Sequence, residues 1–211
     1  MDTAKKLASY LLQSKAIIVD PANPFRWASG WNSPIYCDNR KTLSYPEIRE
    51  FIRDSFIDEI NSHFGEPDMI AGVATGAIAH GALVAEKMGL PFIYVRSSQK
   101  SHGTGNLVEG DISQGSSVVI IEDLISTGGS SLKAVSALRD AGLEVRGMLA
   151  IFTYGFPLAL ENMNKAGISL ITLGTYNSLI EEAIEQGLIP GEFQETLSEW
   201  RKDPGNWKPR T

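Results

Sequence analysis

Residues 118–131 read VVIIEDLISTGGSS, and this stretch decides the fold class. It opens with four β-branched apolar residues, a pattern typical of a strand that is buried on both faces of a sheet. Two adjacent carboxylates and two apolar residues follow, and the stretch ends in a turn rich in serine and glycine. Leu132, Val135 and Leu138 then recur at helical spacing, so we expect a helix over 130–141. A buried strand that leads through such a turn into a helix is a unit of α/β folds.

The same alternation of strand and helix continues on both sides of this stretch. Strands are predicted at 69–73, 92–95, 117–121, 145–152 and 168–173, and helices at 76–88, 130–141 and 157–166. Short apolar strands separated by helices form parallel sheets that are covered on both faces. We therefore predict an α/β fold with a central, mostly parallel sheet flanked by helices. Ligands of such sheets bind beyond the carboxyl ends of the strands, here the loops at 74–76, 96–116, 122–130 and 153–156.

The segments outside this alternation are predicted to be shorter and less regular. The spacing of the apolar side chains predicts a short amphipathic helix at the start, formed by Leu7, Tyr10, Leu11 and Ile18. Residues 20–46 are rich in Pro, Asn, Ser and Trp, so we expect irregular chain with short strands near 34–37. We call residues 20–46 the hood. We expect one domain over 1–211, with the hood, a core at about 47–175 and a helical tail at about 176–211.

A second early helix is predicted to begin just after the hood. Ser44 and Glu47 have the spacing of a capping box, and Pro46 is tolerated in a first helical turn. Ile48, Ile52, Phe56 and Ile60 follow at steps of four and line one face, as expected for a helix that packs on the sheet.

Composition limits the function classes. The chain has 211 residues and a formal net charge of −6, which argues against a general nucleic-acid surface. It has one cysteine, so an internal disulfide and a cysteine-based zinc cluster are excluded. We find no signal-peptide core and no apolar run of the roughly 20 residues needed to span a bilayer. We expect a cytoplasmic protein that binds neither nucleic acid nor membrane.

The turn after the carboxylates has the features of a phosphate cradle. Glycines let backbone N–H groups approach an anion, the hydroxyls of Ser126, Thr127 and Ser130 can donate, and a helix N-terminus favours negative charge. Glu122 and Asp123 suit the hydroxyls of a ribose, so one motif could hold both parts of a ribose 5-phosphate. A plain strand end followed by a capped helix is the alternative. The patterns of a P-loop and of a dinucleotide fold do not occur.

These residues resemble the phosphoribosyl pyrophosphate (PRPP) motif of type I phosphoribosyltransferases. Residues 25–38 (FRWASGWNSPIYCD) resemble the hood of the orotate phosphoribosyltransferases, and residues 96–103 (RSSQKSHG) resemble their catalytic loop. The resemblance covers roughly residues 20–180. It implies the type I phosphoribosyltransferase fold and transfer of ribose 5-phosphate from PRPP to orotate, in pyrimidine biosynthesis. It also implies Mg²⁺ as cofactor, for which we expect few or no direct protein ligands.

The resemblance also assigns residues to roles. Lys100, His102 and Asp123 are implied to be catalytic, and Thr75 and Gly76 to form a pyrophosphate loop, often with an unusual peptide bond. The residues implied to contact PRPP are Arg96, Lys100, His102, Glu122, Asp123, Leu124, Ile125, Ser126, Thr127, Gly128, Gly129 and Ser130. Loop 96–106 contains three of these side chains and no carboxylate, which suits a pyrophosphate leaving group. By resemblance it reaches the partner's site in a homodimer. A solvated surface loop and a plain turn at Thr75 are the alternatives.

The acceptor site is where this sequence departs from the family. Positions where many members carry a lysine or an arginine hold Ala28, Ser97 and, by our alignment, Tyr154. Ser126 and Tyr36 remain the candidates for contacting orotate, and we hypothesise that Arg26 or Arg40 supplies the missing cation. A phosphoribosyltransferase for another base and a PRPP-sensing regulator are the alternative functions.

Overall fold

The computed structural model describes residues 2–27, 29–98 and 107–209, with a six-stranded sheet at its centre. The strands of this sheet are β5 (Met69–Val73), β6 (Phe92–Val95), β7 (Val108–Glu109), β8 (Ser117–Ile125), β9 (Glu144–Thr153) and β10 (Leu170–Thr175), in the order β10-β9-β8-β5-β6-β7. All neighbouring pairs are parallel except β6 and β7 at one edge. The predicted α/β class and mostly parallel sheet are confirmed.

Helices cover both faces of the sheet. They are α1 (Thr3–Gln13), α2 (Pro46–His63), α3 (Ile78–Met88), α4 (Gly129–Asp140), α5 (Pro157–Lys165), α6 (Tyr176–Glu185) and α7 (Gln194–Lys202). Apolar residues of α4 and α5 pack with Val118 and Ile120 in one buried cluster. Those of α1, α2, α3, α6 and α7 pack with Val119 and Ile121 in the other. Because alternate residues of β8 enter opposite clusters, its continuous apolar run is explained by burial on both faces.

Two small antiparallel pairs lie in and beside the hood. Strand β1 (Ile17–Val19) pairs with β4 (Ile35–Cys37), and β2 (Phe25–Arg26) pairs with β3 (Asn32–Ser33). The expectation that Ile18 extends the first helix is therefore wrong. Helix α1 ends at Gln13, and Ile18 lies in β1 opposite Tyr36. Strand pairing across about twenty residues outweighs the local helical spacing there.

The predicted capping box at Ser44 is also wrong, although the helix itself is present. Ser44 is the last residue of a 3-10 helix, Asn39–Ser44, and Tyr45 occupies the N-cap of α2 without a side-chain cap. Pro46 is the first helical residue, as expected. The Glu47 carboxylate accepts a hydrogen bond from the Tyr10 hydroxyl instead of capping the backbone.

Most predicted element ends differ from the observed ones by one or two residues, but β8 differs by more. It continues through both carboxylates to Ile125, so Glu122 and Asp123 belong to the strand itself. Its last residues pair with β9 up to Ile125 opposite Thr153. Within the described part of the chain, no helix is long and apolar enough to cross a membrane.

Candidate active site

Several loops meet at the carboxyl end of the sheet. The turn at residues 74–76 follows β5, the serine and glycine turn at 126–128 follows β8, and residues 154–156 follow β9. Since β5, β8 and β9 are neighbours in the sheet, these three turns are brought side by side. The predicted site is therefore a contiguous region of the fold.

Asp123 lies directly against the turn after β5. A Cβ built on Gly76 would overlap the Asp123 carboxylate, so this carboxylate occupies the space that only a glycine leaves free. The peptide bond between Ala74 and Thr75 is cis, which agrees with the unusual peptide bond expected for this turn. The residues implied for pyrophosphate and for ribose are thus in contact with each other.

A residue that sequence reasoning missed holds the same strand end from the hood side. The Asn39 side-chain amide donates a 2.6 Å hydrogen bond to the backbone carbonyl of Asp123. Thr42 donates to the Asn39 carbonyl at 2.6 Å, and its hydroxyl lies 3.3 Å from the His80 imidazole. Burial lowers the pKa of His80 to about 4, so this histidine is neutral near pH 7. Nothing in the local sequence around Asn39 indicates a partner 84 residues away.

Glu122 is oriented differently from its neighbour. It is 4% exposed, and its two carboxylate oxygens accept hydrogen bonds from the Asp123 amide at 3.0 Å and the Ser131 hydroxyl at 2.8 Å. Burial, reinforced by the charge of Asp123, raises the pKa of Glu122 to about 8. Both oxygens are therefore occupied beneath the site, and Asp123 is the carboxylate of this pair that solvent reaches.

The serine and glycine turn leads into α4 as expected. Gly128 occupies the N-cap with φ +80°, a left-handed conformation that favours glycine, and α4 begins at Gly129. The Asn162 amide of α5 donates to the Thr127 carbonyl at 3.3 Å and ties the turn to the neighbouring helix. A Cβ on Gly129 would meet nothing within 4 Å, so the space in front of the helix N-terminus is open.

An open cavity of about 630 Å³ adjoins this helix N-terminus. Residues that line it include Ala74, Arg96, Gly129, Ser130, Lys133 and Asp140. Arg96 lies at the end of β6, where its guanidinium is 3.3 Å from the Glu109 carboxylate. The structure thus brings Arg96, the cis turn and the start of α4 to one cavity with two cationic side chains. Lys100 and His102 lie outside the described residues.

A second cavity of about 250 Å³ lies between the hood and the ends of β8 and β9. It is lined by Arg26, Trp27, Tyr36, Cys37, Leu124, Ser126 and Tyr154. Tyr36 and Ser126, the two residues proposed to contact orotate, are therefore together. Of the two arginines in our hypothesis, Arg26 lines this cavity. Arg40 is 59% exposed at its side chain and pairs with Asp38 at 2.7 Å.

The chemistry of the linings distinguishes these cavities from a larger one at the opposite end of the sheet. That cavity, of about 830 Å³, is lined by Asp54, Asp58, Glu66 and Asp68, with Lys87 as its cation. Four carboxylates beside one lysine repel a polyanion. The cavities at the carboxyl end of the strands are the suitable ones for a phosphorylated substrate.

The described residues contain no group of three or more His, Cys, Asp or Glu side chains arranged to hold a metal ion. At the carboxyl end of β8, Asp123 offers one partly exposed carboxylate. This donor set fits a cation that takes most of its oxygen ligands from a phosphorylated substrate and from water, as Mg²⁺ does.

The chain is similar in sequence to known proteins of one family. The family model of the phosphoribosyl transferase domain matches residues 44–154. The orotate phosphoribosyltransferase of Porphyromonas gingivalis is 59% identical over 203 residues, which are 96% of this chain and 97% of that protein. The one of Cytophaga hutchinsonii is 53% identical over 208 residues, which are 99% of this chain and 100% of that protein.

Solved structures share the fold as well. The orotate phosphoribosyltransferase of Aeropyrum pernix is similar with a TM-score of 0.75 at 28% identity, over 87% of this chain and 99% of that one. The UMP synthase of Leishmania donovani is similar with a TM-score of 0.78 at 26% identity over 93% of this chain, which spans 42% of that longer protein. The fold, the two cavities and the nearly full-length relatives lead to one conclusion: the chain belongs to the phosphoribosyl transferase family, among the orotate phosphoribosyltransferases.

Proposed function

We propose that this chain transfers ribose 5-phosphate from PRPP to N1 of orotate, giving orotidine 5′-monophosphate and pyrophosphate in pyrimidine biosynthesis. The observation that carries this assignment is the contact between the Asp123 carboxylate and Gly76, on the strand that leads through the serine and glycine turn into α4. It unites a ribose-binding carboxylate, a pyrophosphate turn and a phosphate turn, while a separate cavity under the hood takes the base.

The phosphate turn holds the 5′-phosphate in this assignment. The backbone N–H groups at Gly129 and Ser130 open α4, and the hydroxyls of Ser126, Thr127 and Ser130 add donors. Leu124 and Ile125 contact PRPP through the strand end that carries the motif. A helix N-terminus with glycine at its start suits a dianionic phosphate, because unsatisfied N–H groups and the helix dipole both favour negative charge.

Asp123 orients the ribose by accepting hydrogen bonds from its hydroxyls. Glu122 was expected to share this task, but both of its oxygens already accept hydrogen bonds. We therefore assign Glu122 a supporting role, in which it fixes the Asp123 backbone from below. The turn at Thr75 and Gly76 contacts pyrophosphate next to Asp123, so the leaving group and the sugar are held by adjacent atoms of the protein.

Bond breaking runs ahead of bond making in this transfer. The C1–O bond to pyrophosphate breaks with its electrons leaving on oxygen, the sugar passes through an oxocarbenium-like state, and N1 of orotate attacks from the opposite face. The proton of the N1–H group is released to solvent as the C1–N1 bond forms. No protein nucleophile is needed, so the rate enhancement comes from positioning and charge stabilisation. Arg96, Lys100 and His102 stabilise the departing pyrophosphate, and His102 or Lys100 donates a proton to it.

The acceptor base occupies the cavity under the hood. Orotate is a planar anion, and the cavity combines aromatic walls with the Ser126 hydroxyl and the Arg26 guanidinium. Burial holds the pKa of the Cys37 thiol well above its ordinary value, so Cys37 contributes a neutral wall. We assign the orotate carboxylate to Arg26, because Arg40 is already paired with Asp38 outside the cavity.

We propose Mg²⁺ as the cofactor. When bound, it would neutralise charge on the pyrophosphate; Asp123 is the partly exposed carboxylate that would help to hold it, with the other ligands supplied by substrate oxygens and water. We also propose that the protein works in the cytoplasm as a homodimer in which loop 96–106 of one copy completes the site of the other.

A turnover assay tests the assignment. The protein is supplied with PRPP, Mg²⁺ and one base at a time (orotate, uracil, adenine or hypoxanthine), and product formation is followed. Of the four bases, we expect only orotate to be turned over, and we expect this turnover to be lost in Asp123→Asn. Asp58→Asn, an exposed carboxylate of the distant acidic cavity, is the matched control and should keep wild-type activity. Preference for another base would support the alternative of a phosphoribosyltransferase for that base. Binding of PRPP without turnover of any base would support the alternative of a PRPP-sensing regulator.

A further inference from the structure

The last helix of the fold, α7, contacts both walls of the cavity under the hood. Trp200 is fully buried, and its indole N–H donates to the Asn32 carbonyl of the hood at 3.1 Å. Its ring packs against Trp27 and Tyr154, each with a centroid distance of 5.7 Å. Both of these aromatic side chains line the cavity. A residue close to the end of the chain thereby joins the hood to the loop after β9.

The next residue, Arg201, contacts the other wall through the backbone. Its Nε donates to the Tyr154 carbonyl at 3.1 Å, and one terminal nitrogen donates to the Gly155 carbonyl at 3.3 Å. The planar guanidinium presents several donors in a rigid fork, so one side chain can hold two successive carbonyls in a fixed relation. These carbonyls belong to the loop that leaves the sheet after β9, where the Tyr154 amide still donates to the Ile125 carbonyl of β8 at 3.2 Å.

The loop itself is shaped to admit this side chain. Gly155 has φ +66°, and a Cβ at that position would lie 2.9 Å from the nearer guanidinium nitrogen of Arg201. The glycine thus serves both the turn and the close approach of the cation. Its amide donates to the Thr153 hydroxyl at 3.0 Å, so the loop has defined partners on both sides.

Arg201 is held in place by α6. Its remaining terminal nitrogen donates to the Asn177 side chain at 2.8 Å, and its guanidinium lies 5.5 Å from the centre of the Tyr176 ring. The Tyr176 hydroxyl donates to the Leu197 carbonyl at 2.8 Å and fastens α7 to α6. The guanidinium is therefore fixed between α6 and the loop after β9, as a group that sets a loop position must be.

We propose that Arg201 is a positioning residue for the acceptor base: by fixing the Tyr154 and Gly155 carbonyls, it holds the Tyr154 ring in the wall of the orotate cavity. Arg201 is not among the residues that line either cavity of the carboxyl end, so it acts through the loop. The loop at 154–156 contributes nothing to the lining of the cavity at the phosphate turn. The affinity for orotate should therefore depend on Arg201, and the affinity for PRPP should not. This inference rests on the proposed function.

The test compares Arg201→Gln and Arg201→Lys with the control Lys202→Gln, an exposed neighbour on the same helix. We expect Arg201→Gln to raise the orotate KM about tenfold, a difference equal to one charged hydrogen bond, with kcat and the PRPP KM within about twofold. Arg201→Lys keeps the charge but cannot bridge both carbonyls, so we expect an intermediate value. The control should match wild type. A common change in kcat and both KM values, or an unchanged orotate KM, would overturn the proposal.

A second measurement does not depend on turnover. Hydrogen exchange of the Tyr154 and Gly155 amides should be about tenfold faster in Arg201→Gln than in wild type or Lys202→Gln, because the loop opens more often. Unchanged exchange there would also overturn the positioning role. Absence of orotate turnover in the wild-type protein, in contrast, would contradict the proposed function while the exchange data still decided whether Arg201 holds the loop.

Discussion

The Asp123 carboxylate lies over the Cα of Gly76, in the space that a Cβ on that residue would need. Two strands that neighbour each other in the sheet, β5 and β8, thereby bring their ends into direct contact. The contact explains why the residue after Thr75 has no side chain. A side chain at position 76 would therefore displace the carboxylate assigned to the ribose.

Gly76→Ala should displace the carboxylate without unfolding the chain. The added methyl group overlaps the end of a side chain, which can rotate away, so we expect a small change in Tm. Misplacing a substrate-orienting group by about 1 Å costs on the order of 100-fold, so kcat/KM for PRPP should fall by about that factor. Gly191→Ala, in open space near α7, is the control. Wild-type kinetics in Gly76→Ala would disprove the carboxylate assignment.

Glu122→Gln should change how stability depends on pH. With its pKa raised to about 8, native Glu122 keeps a proton that the unfolded chain releases near pH 4.5. Wild-type stability therefore falls as pH rises from about 4.5 to 8, because the unfolded state binds fewer protons in that window. A glutamine stays neutral and can still pair with Ser131 and the Asp123 amide.

We expect the Tm of Glu122→Gln relative to wild type to increase between pH 5 and 8 and to level off above. This Tm difference is measured by thermal unfolding of both proteins at several pH values. Glu86→Gln, an exposed residue of α3, controls for the loss of one carboxyl group. A Tm difference that shrinks as the pH rises would be the wrong sign and would refute protonation of Glu122 in the native state.

Arg26→Gln should weaken the binding of orotate and leave the binding of PRPP unchanged. Loss of a charge-assisted hydrogen bond costs about 1.5–3 kcal/mol, which corresponds to an increase in the orotate KM of roughly 10- to 100-fold. Arg40→Gln is the matched control because its guanidinium pairs with Asp38 and does not line the cavity. Initial rates at varied orotate concentration and fixed PRPP concentration give the orotate KM of each variant. Equal effects of the two substitutions would eliminate Arg26 as the carboxylate partner.

A mixing experiment tests the shared site of the proposed homodimer. Lys100→Ala and Asp123→Asn should each lose most of kcat, the first without weakening PRPP binding to the same extent. When equal amounts are unfolded and refolded together, about half of the dimers are mixed, and each mixed dimer has one intact site if the loop crosses over. We therefore expect about a quarter of wild-type activity to return. No recovery would place the loop of each copy over its own site.

The sheet could be predicted well from the sequence because each main strand is a continuous apolar run that is recognisable locally. Phe92–Val95 was predicted to the residue, and the strand at 117–121 was found with its apolar side chains buried on both faces. A continuous apolar run between two helices has few other structures to adopt. The same local logic placed Gly76 and Asp123 at strand ends on one edge of the sheet.

Contacts between distant segments could not be predicted in this way. Ile18 fits a helical spacing but pairs with Tyr36, and Glu47 fits a capping box but bonds to Tyr10. Asn39 and Arg201 act on backbone carbonyls, which any residue type provides, so no sequence pattern identifies their targets. The part of the site that was missed is the part made by partners far along the chain.

The hydrogen bond from Trp200 to Asn32 has a consequence for how the protein is made. The two residues are 168 positions apart, which at 5–20 residues per second is on the order of ten to thirty seconds of translation. The strands and turns of the phosphate site have all been synthesised well before Trp200. The link between the hood and the loop after β9 can therefore form only after Trp200 has been made, when every residue that lines the cavity at the phosphate turn already exists.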